Sequence, residues 1–193
     1  MPNETNSNVQ HKEIEARFLE IDKADLVARL TRCGAKDCGE AMLKESIFYD
    51  QAMTWNKENK FIRVRQNGKK ITITYKHHAA YTIDGTEEIE VEADDFEKSC
   101  LLLQKAGLLL KRRQEKRRHT FLLDGVVIDI DTWPRIPTYV EIEGASESAV
   151  REVAEKLGFT WSEAVFDSAG RIIEDRYGVP VLSLERFTFD SGE

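Results

Sequence analysis

Charged side chains recur at alternate positions along much of this chain. Glu13, Glu15 and Arg17 lie two apart, as do Arg63 and Arg65, Glu88, Glu90 and Glu92, Lys116 and Arg118, Asp129 and Asp131, and Glu141 and Glu143. Lys76 closes a similar run behind Thr72 and Thr74. Carboxylates clustered without His or Cys are hard oxygen ligands that select magnesium, manganese or calcium over zinc or copper. Clustered arginines and lysines suit a highly charged anion, and the planar guanidinium matches phosphate oxygens two at a time. Held together, the two sets meet the requirement for moving a phosphoryl or nucleotidyl group: a divalent ion bridging phosphate oxygens, and cations stabilising charge on the leaving phosphate. A GxxxxGK[ST] loop is absent, so a P-loop enzyme is excluded.

Residues two apart share a face only on a strand, so this chemistry needs strands to position it. Alternation predicts them over about 12–21, 42–50, 61–66, 71–76, 87–92, 111–122, 126–131 and 139–143. Asn67-Gly68 and Asp124-Gly125 are hairpin turns. Helices are predicted over 23–33 behind Asp22, from Asp94 or Asp95 to about Ala106, from Ser146 through Leu157, and over 162–177. Residues 1–11 read as a disordered tail, 12–178 as one domain, and 179–193 as a C-terminal tail of strand-like or irregular character. Short strands at close spacing are the signature of a meander or barrel.

The grouping of signs matters more than any single strand. Like charges side by side destabilise a strand pair and have no reason to be sorted by sign on an ordinary wet surface. A sheet curled so that its charged faces converge would gather the carboxylates around Arg17, Arg63, Arg65, Lys76, Lys116 and Arg118, with helices over the apolar faces. An interior of that kind is costly unless water and ligand fill it, so it is a binding cavity and not a core.

Composition narrows the partners. The chain has 193 residues, 41% hydrophobic and 33% charged, with a net charge of −7, which disfavours nucleic-acid binding through a basic surface. The basic run Lys111 to Arg118 alternates, so about half of it points outward as a solvated face. No apolar run is long enough to cross a bilayer, and Met1 to Gln10 has no apolar segment of a secretory signal; a cytoplasmic protein is expected. Cys33, Cys38 and Cys100 form no CxxC pair and read as small buried or half-buried thiols, with neither a disulfide framework nor a zinc ribbon indicated. His77 and His78 read as loop histidines in solvent, and Trp55, Trp133 and Trp161 as packing residues, Trp133 being the best placed to stack on a ligand ring.

The ordered set Glu13-x-Glu15, Arg63-x-Arg65, Lys76 at the end of a Thr-Tyr-Lys strand, the acidic strand Glu87 to Glu92, Lys116-x-Arg118, and Asp131 followed by Glu141-x-Glu143 resembles the CYTH domain of the triphosphate tunnel metalloenzymes. The resemblance spans about residues 11–178. It implies an α+β protein: an eight-stranded antiparallel β-barrel forming a tunnel, with helices packed outside. It further implies dependence on Mg2+ or Mn2+ and a small-molecule triphosphate substrate. Known members include class IV adenylate cyclases, thiamine triphosphatases and inorganic tripolyphosphatases. Carried over, Glu13, Glu15, Glu141 and Glu143 are expected metal ligands, assisted by Asp131 and a glutamate of the acidic strand, Glu90. Arg17, Arg63, Arg65, Lys76, Lys116 and Arg118 are expected to bind phosphate, with Glu13, Glu15, Arg17 and Lys76 nearest the chemistry. The family's opening motif is usually ExExK, and here Arg17 takes the lysine's place; arginine keeps the charge but cannot readily give up a proton. The resemblance favours a metal-dependent triphosphatase, with a class IV adenylate cyclase as alternative and a non-catalytic nucleotide or polyphosphate sensor as a third reading.

Overall fold

The fold is described from a computed structural model over residues 12–190. Its strands are β1 (Lys12–Glu13), β2 (Glu15–Phe18), β3 (Lys36–Tyr49), β4 (Lys60–Asn67), β5 (Lys70–His78), β6 (Thr86–Ala93), β7 (Leu109–Leu123), β8 (Val126–Thr132), β9 (Tyr139–Glu143) and β10 (Arg186–Phe187). Between them lie α1 (Lys23–Arg32), α2 (Thr54–Lys57), α3 (Phe96–Lys105), α4 (Glu147–Lys156) and α5 (Ala169–Arg171). The sheet runs β1-β6-β5-β4-β3-β7-β8-β9-β2, with antiparallel neighbours throughout.

β1 and β2 are two halves of the first strand expected from sequence, and the split between them is what nearly closes the barrel. β1 pairs with β6 and β2 pairs with β9, so one stretch of chain bridges the two ends of the sheet. At the crossing the Gly144 N–H donates to the Ile14 carbonyl at 3.1 Å, and the Glu15 N–H to that of Ile83 at 3.0 Å. Counted as one strand, β1 and β2 make the barrel the eight-stranded one expected.

Alternation then sorts the side chains. Ala16, Phe18, Phe121, Ile128, Ile130, Val140 and Ile142 point outward and are buried against Leu26 and Leu30 of α1 and Val150, Val153 and Ala154 of α4. α3 covers a second apolar face over Phe48, Val64 and Ile71. The helices start where their caps stand: Asp22, Asp95 and Ser146 accept from the N–H groups of Asp25, Lys98 and Ala149. Asp124 and Gly125 both take positive φ, as a two-residue hairpin between right-twisted strands requires.

Several expectations are corrected. The helix expected over 162–177 is a 3-10 turn at Trp161–Glu163, then α5 running into a single π turn, Ile172–Arg176. The reason is tertiary: Val165 exchanges both backbone hydrogen bonds with Arg17, which holds 164–167 extended along β2. The strand expected at 42–50 begins at Lys36 and bulges at Asp37/Gly39, where Gly39 adopts φ +94°. The stretch after Pro180, expected as a tail, packs into the domain. Val181 and Phe187 are buried with Trp133, Tyr139 and Ile173, and β10 pairs in parallel with β7. The expected N-terminal tail, 1–11, lies outside the described residues. Among the described residues no helix is long and apolar enough to cross a membrane.

Candidate active site in the barrel interior

The inner faces of the strands line a cavity of about 240 Å³. Glu13, Arg17, Arg63, Arg65, Lys76, Lys116, Arg118, Glu141 and Glu143 all border it, and Glu15 and Asp131 are buried among them. Most of the charges expected to converge are therefore together, in two walls, one richer in carboxylates and one in cations, joined by ion pairs.

The acidic wall is built on β1, β2 and β9. Glu15 stands opposite Glu143, and Arg17 opposite Glu141. All three nitrogens of Arg17 are engaged: Nε donates to Glu141 at 2.9 Å, Nη2 to Glu15 at 2.7 Å and Nη1 to the Asp167 carbonyl at 3.0 Å. Burial alone would drive proton loss from this guanidinium, but Glu15 and Glu141 hold its pKa well above the usual value. Glu141 is its complement: burial acts to raise its pKa, and Arg17 and Arg118 overcome that and hold it well below the carboxylate range. Glu13 accepts from Lys76 Nζ at 2.8 Å, and Glu88 lies at the same distance from that ammonium. Glu143 has a different fate. Burial, then Glu13, Glu141 and Glu15, push its pKa up to about 7. Burial likewise raises Glu13 and Glu15 against the pull of Lys76 and Arg17.

The basic wall is built on β4 and β7, its cations paired with Glu45 of β3 and with Asp129 and Asp131 of β8. Arg65 Nε donates to Glu45 at 2.7 Å. Lys116 Nζ lies 2.5 Å from Asp131 and 5.0 Å from the centroid of the Trp133 ring. Arg118 reaches Asp131, Asp129 and Glu141 at 2.7, 2.5 and 3.1 Å. Burial, then Arg118, lowers Lys116 to a pKa of about 8. Arg63 is the exception on this wall. Its side chain is buried, and its Nε has no hydrogen-bond partner among the described residues. Burial, then Arg65, lowers its pKa.

One expected ligand stands apart. Glu90 does not border the cavity; it accepts from Thr74 Oγ1 at 2.9 Å and lies 3.8 Å from Lys70, further along β6. Two residues along a strand is roughly 6.6 Å, so Glu88, and not Glu90, meets Glu13 and Lys76. Asp131 is shared between Lys116 and Arg118, and the same Arg118 Nη2 also reaches Glu141.

Sequence reasoning passed over other interior residues. Glu45 and Gln114 are buried and hydrogen-bonded to each other at 2.5 Å. Arg112, read as part of a solvated run, is buried with its guanidinium on Gln114 and the Val181 carbonyl. His78, read as a loop residue, is the last residue of β5 and is buried at the cavity. Alternation could have found Arg112, since it lies two and four before Gln114 and Lys116. Glu45 gave no such signal, because its neighbours on that face are Leu43 and Ile47.

Glu13, Glu15, Glu141 and Glu143 suit a hard divalent cation by their oxygen chemistry, and burial together with their crowding leaves Glu143 hard to ionise. They are not a ready-made cage. Among the described residues no group of three or more His, Cys, Asp or Glu is arranged to hold an ion, and Glu13, Glu15 and Glu141 are engaged by Lys76 and Arg17.

The fold and its interior define the class of this protein: a nearly closed antiparallel β-barrel whose cavity is lined by carboxylates and cations. Within that class the chain belongs to the CYTH domain family, whose model matches residues 11–166. Members of the family are triphosphatases or adenylate cyclases and use divalent metal ions. The structure is similar to that of a Pyrococcus horikoshii protein, with a TM-score of 0.69 at 22% identity over 81% of this chain and 96% of the other. It is similar to a candidate adenylate cyclase of Vibrio parahaemolyticus, with a TM-score of 0.74 at 11% identity over 84% and 98%. A candidate adenylyl cyclase of Hippeastrum, whose dominant activity is that of a triphosphatase, gives 0.62 at 15% identity over 88% and 98%. At these identities the likeness is one of fold. No curated protein sequence matches the chain significantly.

Proposed function

We propose that this protein is a divalent-metal-dependent triphosphatase that hydrolyses a phosphoanhydride bond of an inorganic or organic triphosphate, tripolyphosphate, thiamine triphosphate and nucleoside triphosphates being the candidate substrates. The observation that carries the reading is Arg63. A buried guanidinium with an unpartnered N–H, beside a second arginine and facing a cavity, is a costly arrangement that an anionic ligand would relieve.

Arg63, Arg65, Lys116 and Arg118 would hold the phosphate chain. Lys76, between Glu13 and Glu88, would sit where phosphate meets the acidic wall. Glu13, Glu15, Glu141 and Glu143 would hold Mg2+ or Mn2+, which when bound supplies charge neutralisation on phosphate oxygens and a more acidic water. Arg17 keeps Glu15 and Glu141 fixed; with every one of these bonds made inside the protein, it acts as a positioning residue and not as a proton acceptor.

The test is to incubate the pure protein with tripolyphosphate, thiamine triphosphate or ATP, each with Mg2+ or Mn2+, and to resolve the products. Free phosphate without a cyclic product is expected. Cyclic AMP with pyrophosphate would replace hydrolysis by cyclisation, and binding without turnover would make the protein a sensor.

A further inference from the structure

The cavity changes character at the mouth formed by β3, β4 and β5. Tyr49, Phe61 and His78 form an arc of rings on these three neighbouring strands, with centroids 6.4 Å apart for the first pair and 6.2 Å for the second. Asn56 and Asn59 border the same space, and Lys60 lies beside them. His78 is 8% exposed. Its Nδ1 lies 2.8 Å from Thr86 Oγ1, its backbone N–H donates to the Asn59 carbonyl at 3.0 Å, and no group among the described residues takes Nε2. The Tyr49 side chain is tied to Arg112, whose guanidinium also holds the Val181 carbonyl, so the arc is fixed from behind.

These groups do not continue the phosphate cradle. Burial, then Lys76 and Arg17, hold the His78 ring neutral, with a pKa of about 3. A neutral imidazole, two amides and two aromatic rings offer faces for stacking and an edge for hydrogen bonding, but no charge for phosphate. After burial, the charges that bear most on the His78 ring are positive, Lys76, Arg17 and Arg63, while Lys60 is paired with Glu58 and Lys76 shares Glu13 and Glu88. A ring that itself carries positive charge is therefore disfavoured there.

We propose that His78 is a specificity-determining residue which, with Phe61 and Tyr49, seats the neutral heteroaromatic ring of a nucleoside triphosphate while its phosphates lie along Arg63 and the deeper cations. The inference rests on the triphosphate reading above and names the substrate class for that same site. His78 presents Nε2 to the ring's hydrogen-bonding edge, and Thr86 fixes the imidazole in that pose.

The test compares equilibrium binding of adenosine 5′-(β,γ-imido)triphosphate and of inorganic tripolyphosphate, each with Mg2+, by wild type, His78→Ala and His78→Gln. His78→Ala is expected to weaken the nucleotide analogue about 10-fold more than tripolyphosphate. His78→Gln, which keeps a polar group near the position of Nε2 and guards against a folding defect, is expected to recover part of that difference. Equal weakening of both ligands, or of neither, would overturn the role of His78 while leaving the triphosphate reading standing. Binding of neither ligand by wild type would overturn that reading and this inference together. In turnover, kcat/KM is expected to be higher for ATP than for thiamine triphosphate, whose ring is cationic; the reverse order would overturn the neutral-ring assignment.

Discussion

Arg17 and Arg63 line the same cavity, are both buried, and are opposites. Arg17 makes hydrogen bonds through Nε and both terminal nitrogens, to two carboxylates and a carbonyl, and its pKa rises; Arg63 has an unpartnered Nε and a second arginine beside it, and its pKa falls. The difference separates a charge that holds the tunnel together from one that stands ready for a ligand. The same contrast divides the carboxylates: Glu141 is held ionised by Arg17 and Arg118 against its burial, whereas burial, then Glu13, Glu141 and Glu15, push Glu143 towards neutrality. Each wall thus contains a satisfied charge and a frustrated one. A metal ion on the acidic wall and a phosphate chain on the basic wall would relieve both at once.

The strongest way to break the comparison is to remove each arginine in turn. Arg17→Met leaves Glu15 and Glu141 buried without their main partner and should cost about 3–5 kcal/mol of stability in denaturant titration. Arg63→Met removes a buried charge with an unpaired N–H and should leave stability unchanged or slightly raised, while weakening tripolyphosphate binding about 10-fold or more. If the two variants were equally destabilised, Arg63 would be structural after all.

Glu143→Gln is next in size. It should lower metal-dependent phosphate release by at least about 100-fold and weaken Mn2+ binding, with little change in the melting temperature of the metal-free protein. Glu13→Gln should act in the same direction on activity. Activity that persisted undiminished in both would remove the acidic wall from the mechanism.

The frustrated carboxylate also predicts a pH dependence of the metal-free protein. The pKa of Glu143 is raised when folded, so the native state keeps a proton that the unfolded chain has released. Its contribution is complete below the unfolded pKa near 4.5 and disappears as pH rises through about 7. Between pH 5 and 8, in chelator, stability should therefore fall by roughly 2 kcal/mol on this account. Glu143→Gln should flatten that slope, and so should saturating Mg2+; a slope identical in wild type and variant would show that Glu143 ionises freely.

Arg17→Lys is the smallest change. It restores the family's usual residue and keeps the charge, but a single ammonium cannot serve Glu15, Glu141 and the Asp167 carbonyl in the same fork. A loss of about 1 kcal/mol is expected by thermal unfolding, with the segment around Asp167 becoming more open to proteolysis. Unchanged stability and protection would mean that the fork is not what anchors that segment.

Alternation by itself determined which faces are charged and which are apolar, because the strand period is fixed by backbone geometry and not by context. That was enough to bring Glu13, Glu15, Arg63, Arg65, Lys76, Lys116, Arg118, Glu141 and Glu143 to one interior. The capping residues Asp22, Asp95 and Ser146 likewise carried their helix starts in the sequence, since capping is a bond over three residues. Only the tertiary structure decided what depends on distant chain. The stretch 162–177 has helical periodicity, yet pairing with Arg17 holds its first part extended. Glu88 reaches Lys76 and Glu90 does not because barrel register, not strand period, sets depth along the tunnel. His78, placed in solvent by its position after the Thr-Tyr-Lys run, is buried because β5 continues two residues past Lys76 and sets it against the Asn59 carbonyl and the Phe61 ring. Arg17 and Arg63 read identically in the chain, as arginines alternating on charged strands. Which of them is spent on protein partners and which keeps an Nε without a partner among the described residues was settled by the neighbours that folding brought to each.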